Sequence, residues 1–324
     1  MYERVKVDTL RGMACVLLVA YHVIGFNIDS GLRLHDGFLR NINDALVFIR
    51  MPLFTFLSGL VYAKRPFVSG GVNFISKKVR RLILPMLTVG TIFALLQAFT
   101  PGTNNTNIDL YTLHIKPVAH FWFVESLFIV FSFILICEKM FLFDSFKKFL
   151  IVFIFAVILY ISPVNISYFS LSGFIYLLPY FLFGMAVVRF KYYLSVSNRV
   201  KASLLSLLIV FVALIYVGHI PLFEHRSLIN LLAGCLGCIL LLTIGFKSKA
   251  LAWLGGFSYS IYLFHVFYTA ATRILLHKLD FYNTPLLFMV GLMAGLLLPI
   301  VTDKVLRENR FTSIMLLGRS GSNK

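Results

Sequence analysis

The chain has 324 residues, 59% of them hydrophobic and 13% charged, where an ordinary soluble domain carries about 25% charged residues. A mean hydropathy of +0.88 excludes a water-soluble enzyme and places the chain in a lipid bilayer. The formal net charge of +17 does not indicate a nucleic-acid partner, because the basic residues lie in short stretches between apolar runs and no basic–aromatic motif accompanies them.

Only Arg4 and Lys6 precede Arg11, and no small-residue cleavage site follows the first apolar run, which is therefore expected to remain as a signal anchor. A crossing helix needs about 20 mainly apolar residues. On that length ten are predicted, over 10–28, 44–63, 82–99, 119–137, 146–162, 171–188, 202–219, 228–245, 257–276 and 284–302. The expected fold is all-α: one polytopic membrane helix bundle over 1–324, ending in a short basic tail from about 304. With the N-terminus in the cytoplasm, the outer loops hold Arg33, Arg40, Lys116, Arg226 and Lys278, and the spans hold Arg50 and Arg273. The remaining 23 of the 30 Lys and Arg residues are cytoplasmic, which supports ten spans with both termini inside.

The first predicted helix carries Asp8, Arg11 and His22. Arg11 and His22 are eleven residues apart, close to three turns, so they share a face about 16 Å apart. Arg11 then lies near one membrane surface and His22 near mid-depth, where an ionisable group implies function. Asp8 is about 21 Å from His22 along the axis, too far for direct contact. Within the second span, Arg50 either snorkels outward or faces the interior, near His22 or an anionic substrate group. The third opens on Lys77, Lys78, Arg80 and Arg81, read either as ordinary flanking charge or as a polyanion site. Lys78 and Arg81 share a face at the surface predicted for Arg11.

The fourth span begins His120-Phe-Trp122, expected in an outer interfacial belt, and contains Glu125, expected to pair with an inward Arg or His. The ninth presents Ser258, Tyr262 and His265 as a polar stripe, with Arg273 expected to snorkel near its outer end. His219, His225 and His277 are expected to be solvated. No metal role is assigned, since no H-E-x-x-H or comparable spacing occurs. The four cysteines, Cys15, Cys137, Cys235 and Cys238, fall in or at the ends of apolar segments. Cys235-x-x-Cys238 lacks a second ligand pair and reads as small-residue packing. No internal repeat of helix pairs is visible, which counts against a transporter built from inverted repeats.

Taken together, these motifs resemble the acyltransferase-3 family, the integral-membrane O-acyltransferases that modify bacterial surface sugars. The resemblance runs over nearly the whole chain. It comprises Asp8-x-x-Arg-Gly12, the Arg11-x10-His22 pair, Met51-Pro-Leu-Phe through Leu-Ser-Gly59, and Lys78-x-x-Arg81 followed by Leu and Pro85. It continues with His-Phe-Trp-Phe from His120 and closes with Ser258-Tyr-Ser-Ile-Tyr-Leu-Phe-His265. The chain departs from the family at Lys78, where an arginine is usual, and at Arg50, where relatives often have a histidine. It is similar to the single-domain branch, as in the acetyltransferase of enterobacterial common antigen, with no fused extracytoplasmic esterase-like domain.

The resemblance implies acetyl-CoA as donor, bound through Arg11, Lys78, Arg80 and Arg81, and a glycan or lipid-linked sugar as acceptor at the bacterial inner membrane. It implies His22 as general base or as carrier of the acyl group. Arg11 and Glu125 are implied in catalysis, with Asp8 or Glu125 available to orient His22 or pair with Arg11. Asp8, Arg50, Trp122, Ser258, Tyr262 and His265 are further site candidates. The rival readings are a transporter or flippase for a glycan or anionic metabolite, and a scaffold in which the polar residues only lock helices together.

Overall fold

In a bilayer every backbone N–H and C=O must find its partner within the chain, so long apolar runs become helices. A computed structural model describes residues 2–103, 109, 111–116, 118–190, 197–217 and 226–319, and among them there is no β-strand. The helices are α1 (Tyr2–Ile24), α2 (Phe38–Ala45), α3 (Val47–Lys64), α4 (Gly71–Lys78), α5 (Leu84–Phe99), α6 (Trp122–Lys139), α7 (Phe146–Ile161), α8 (Leu171–Arg189), α9 (Asn198–Tyr216), α10 (Leu228–Ile244), α11 (Lys249–Gly256), α12 (Ser258–Lys278), α13 (Thr284–Glu308) and α14 (Arg310–Leu317). A π-turn at Val79–Ile83 joins α4 to α5, and a 3-10 turn at Ala119–Phe121 leads into α6.

Each of the ten predicted apolar segments is helical, and the chain is a multi-pass membrane protein. By length and composition six helices suffice to cross a bilayer, or seven if α11 and α12, bent by 82°, count as one broken span. The shortfall from ten comes from shorter elements: α7 has 16 residues, α10 has 17, and the apolar part of α9 is Ala202–Tyr216.

Helix starts are set by polar caps. Ser145, Ser197, Ser227, Ser248, Asn283 and Asn309 each accept a backbone N–H from the first turn of the helix that follows. Lipid offers no hydrophobic drive between helices, so close packing on small residues takes its place. A Cβ at Gly59 of α3 would lie 2.0 Å from the Phe181 carbonyl oxygen of α8, and one at Gly184 would lie 2.0 Å from that of Phe56.

The bundle has two ends. One gathers the start of α1, the π-turn, α11 and α14: Thr9 Oγ1 bonds to Ser248, and Arg81 donates to the Leu317 carbonyl. The opposite end gathers the loop after α1, the α2 helix and the loop after α5, tied together by Arg40, Asn43 and Arg273. The tail expected beyond 304 is instead largely helix: α13 continues to Glu308, and α14 folds back so that Thr88 Oγ1 donates to the Met315 carbonyl at 2.7 Å.

Candidate active site

The α1 helix runs unbroken from Tyr2 to Ile24, so Arg11 and His22 occupy one rigid element. His22 is partly exposed to a cavity of about 820 Å³. That cavity is lined by Tyr21, Arg50, Trp122 and Tyr262 and by loop-end residues including Gly31, Gln97, Asn165, Arg226 and Arg273.

Three histidines converge at its floor. The His22 ring lies 4.8 Å from that of His265 and 5.9 Å from that of His120, and the last two are 4.9 Å apart, centroid to centroid. His265 is fully buried, and its Nδ1 is 2.9 Å from both the Ile261 and Tyr262 carbonyl oxygens. A carbonyl only accepts, so Nδ1 carries the proton and Nε2 keeps the lone pair. Nε2 is buried without a protein partner among the described residues. Among these residues no group of three or more His, Cys, Asp or Glu is arranged to hold a metal ion. His22 is the partly exposed member of the triangle and lines the cavity.

His120 corrects the expectation of an interfacial belt. The 3-10 turn, entered through a positive φ of 43° at Ala119, swings its ring into the bundle, where both ring nitrogens are buried without partners among the described residues. Its carbonyl accepts the Tyr262 hydroxyl. Trp122, one step further on, lines the cavity rather than an outer belt alone.

Arg50 faces the interior. It is only 4% exposed; its Nη2 donates to Asn43 Oδ1 at 2.9 Å, and its guanidinium carbon sits 4.4 Å over the Tyr21 ring. Arg273 does not snorkel either. The loops folded over the end of the bundle offer it carbonyls, and it donates to Gly31 at 2.8 Å and Gly102 at 3.0 Å.

Glu125 has no Arg or His ion-pair partner among the described residues. Its carboxylate accepts the Ser170 hydroxyl, whose residue also accepts Ser126 Oγ through its carbonyl at 2.9 Å. These bonds fasten α6 to the start of α8. Glu125 does not line the cavity, so the geometry gives it a structural rather than a catalytic position. Of the polar stripe, Tyr262 and His265 are buried at the site, whereas Ser258 sits partly exposed at the first residue of α12.

At the other end the basic residues have separate engagements. Arg11 pairs with Asp8 at 3.0 Å. The Lys78 ammonium lies 3.3 Å from the Phe131 ring centre. Arg81 stacks 4.1 Å over Tyr259, whose hydroxyl donates to the Arg81 carbonyl, while Nη1 donates to the Leu317 carbonyl at 3.0 Å. Arg80 Nε is buried without a partner among the described residues. Arg11, Lys78 and Arg81, expected to act together at this surface, thus each have a partner of their own.

Gly12 explains where Arg11 sits. A Cβ at Gly12 would lie 1.9 Å from the Leu251 carbonyl oxygen, and one at Gly255 would lie 1.9 Å from that of Asp8, so α1 and α11 touch backbone to backbone. Sequence reading missed Asp303, which is fully buried in α13 and accepts Ser260 Oγ while pairing with Arg307 and, at 3.0 Å, Arg319. A lone acid in an apolar run was the available signal. His219 and His225 lie outside the described residues; His277 is partly exposed beside Tyr282.

The membrane helix bundle thus holds a partly exposed histidine beside a buried histidine ring and a wide cavity. The family profile described as an acyltransferase domain matches residues 4–304, and the chain belongs to this acyltransferase-3 family. No curated protein and no solved structure shows a significant match.

Proposed function

We propose that this membrane acyltransferase moves an acetyl group from acetyl-CoA to a hydroxyl of a cell-surface or lipid-linked glycan in a bacterial inner membrane, in the manner of the single-domain branch that includes the enterobacterial common antigen acetyltransferase. The observation that carries the reading is His22, the partly exposed histidine at the cavity floor, backed by the His265 ring whose Nε2 lone pair points away from its own helix. His22 takes the proton of the acceptor hydroxyl as the oxygen attacks the thioester carbonyl. The carbon–sulfur bond breaks, the imidazolium returns the proton to the departing thiolate, and an ester and free CoA result.

The donor is a polyanion through its phosphates, and the basic residues at the end opposite the cavity mouth suit it. Of these, Arg80 has a buried donor with no protein partner among the described residues, and Arg11 is only part-buried beside Asp8. Loop-end residues line the cavity, and on this reading the acceptor enters among them while the acyl arm reaches His22 from the end that holds Arg11 and Arg80.

The test is mass spectrometry of glycans from cells carrying the wild type or His22→Ala at equal membrane levels. The wild type adds one acetyl group to the glycan, and the variant loses it. Acetylation retained by His22→Ala removes the general base from the mechanism, and a glycan unchanged on deleting the protein removes the function.

A further inference from the structure

The side walls of the cavity are unusual in charge. Arg50, Arg226 and Arg273 line it together, and no aspartate or glutamate does so among the described residues. Inside a bundle, where the effective dielectric is low, three like charges around one space repel one another. Natural interiors pair such charges, and here Arg273 is satisfied by the carbonyls of Gly31 and Gly102. The other two keep donor capacity. Arg50, more than nine-tenths buried, makes a hydrogen bond to Asn43, and no other is found for it among the described residues. Arg226 donates through Nη2 to the Val164 carbonyl, but its Nη1 is buried without a partner among those residues. The polar neighbours in the wall, Gln97 and Asn165, are neutral amides.

The bland account, that these arginines only brace the loops, fits Arg273 and does not fit the other two. Arg50 is buried and Arg226 partly so, both beside a cavity of about 820 Å³, a volume typical of small-molecule sites, and a guanidinium with donors to spare suits a carboxylate or phosphate. With no carboxylate lining the cavity among the described residues, these two guanidiniums would disfavour a positively charged acceptor and gain more from an anionic one than from a neutral one.

Resting on the acyltransferase reading, we infer that the acceptor is an anion: its carboxylate or phosphate is held by Arg50 and Arg226 while a hydroxyl of the same molecule is presented to His22. The oxyanion has two chemical sources, an acidic sugar within the glycan or a pyrophosphate that links the glycan to its lipid.

Binding to the full-length protein in nanodiscs, with no acyl donor present, tests this. One arm uses a uronic-acid disaccharide and its carboxyl-reduced neutral twin. The other uses a neutral disaccharide on a short polyprenyl pyrophosphate and the same disaccharide on an uncharged ether-linked lipid. In at least one arm the charged probe binds at least tenfold tighter than its twin. Which arm shows the preference names the source. Arg50→Gln and Arg226→Gln each reduce the preference without weakening the neutral twin, Arg50→Lys retains it in part, and Lys278→Gln, at an exposed lysine of α12 that does not line the cavity, leaves it unchanged. Arg226 is half-exposed, so its variant stands should Arg50→Gln fail to fold. Equal binding of charged and neutral probes in both arms, or a full preference in the double variant, overturns the inference. Because binding is read without donor, charge-selective binding in a preparation that transfers no acetyl group counts against the transferase reading alone.

Discussion

Replacing Gly12 by alanine sets two effects of opposite sign against each other. On an isolated helix the added methyl stabilises, since alanine is favoured over glycine by about 1 kcal/mol. In this bundle the same methyl would sit 1.9 Å from the Leu251 carbonyl oxygen, 2.6 Å from its carbon and 3.0 Å from its Cα. Ordinary contact begins near 3.4 Å, so α1 and α11 must part by about 1.5 Å, and the obstacle is backbone, not a side chain that can turn away. Overpacking of this kind costs about 1–3 kcal/mol, and an unyielding backbone contact belongs at the upper end. The net expectation is a loss of about 2 kcal/mol, read as a lower melting temperature of the detergent-solubilised protein. Turnover should fall as well, because displacement of a site by about 1 Å can cost about a hundredfold. Gly256→Ala is the matched control, since a Cβ there meets nothing within 4 Å. Should Gly12→Ala melt at or above the wild type, as Gly256→Ala is expected to, the backbone contact between α1 and α11 does not govern this end of the protein.

Removing the carboxylate with Asp303→Ala leaves Ser260, Arg307 and Arg319 without their shared acceptor; because both arginines are part-exposed, the expected loss is about 1–3 kcal/mol rather than the larger cost of a fully buried pair. Faster trypsin cleavage at Arg310 and Arg319, alongside a lower melting temperature, would report the release of α14. Arg81→Ala is expected to raise the acetyl-CoA concentration needed for half-maximal rate and to loosen the same tail, through loss of the bond to Leu317; a change in acceptor dependence alone would contradict the donor-side placement. His114, in the loop after α5 and bonded to Thr91 Oγ1, has its pKa lowered by burial, so the unfolded chain binds more protons than the folded one as pH falls through the usual histidine range. Its stability contribution is complete above the unfolded pKa of about 6.5 and declines as pH falls from there toward the folded value, so His114→Gln should flatten part of the drop in melting temperature between neutral and mildly acid pH.

The helical fold was legible because apolar run length decides it in lipid, and Arg11 and His22 share an element because helix periodicity is a local property. The interior position expected for His265 was equally local, about two turns of helix from the polar start at Ser258. What sequence could not show depends on partners remote in the chain. Glu125 meets Ser170 45 residues away, and Arg273 meets Gly31 and Gly102 across 242 and 171 residues. No spacing rule links such positions. His120 was placed at an interface because aromatic residues at a span's edge usually go there, whereas a single turn with positive φ redirects it inward. Lys78 and Arg81 meet Phe131, Tyr259 and α14, partners that a charge count does not register.

The sharp elbow before α12 has a geometric consequence. α11 meets α12 at a bend of 82°, and α1 is pressed against α11 at Asp8 and Gly12. The position of Arg11 is thus fixed by the contact between α1 and α11, and His22 stands at a set distance from that contact along the same helix. Inserting one residue between Gly12 and His22 would lower the ring by about 1.5 Å and turn it by about 100°, away from His265 and the cavity, while leaving the length of the span almost unchanged. The spacing of the pair is a length measured from the contact between α1 and α11.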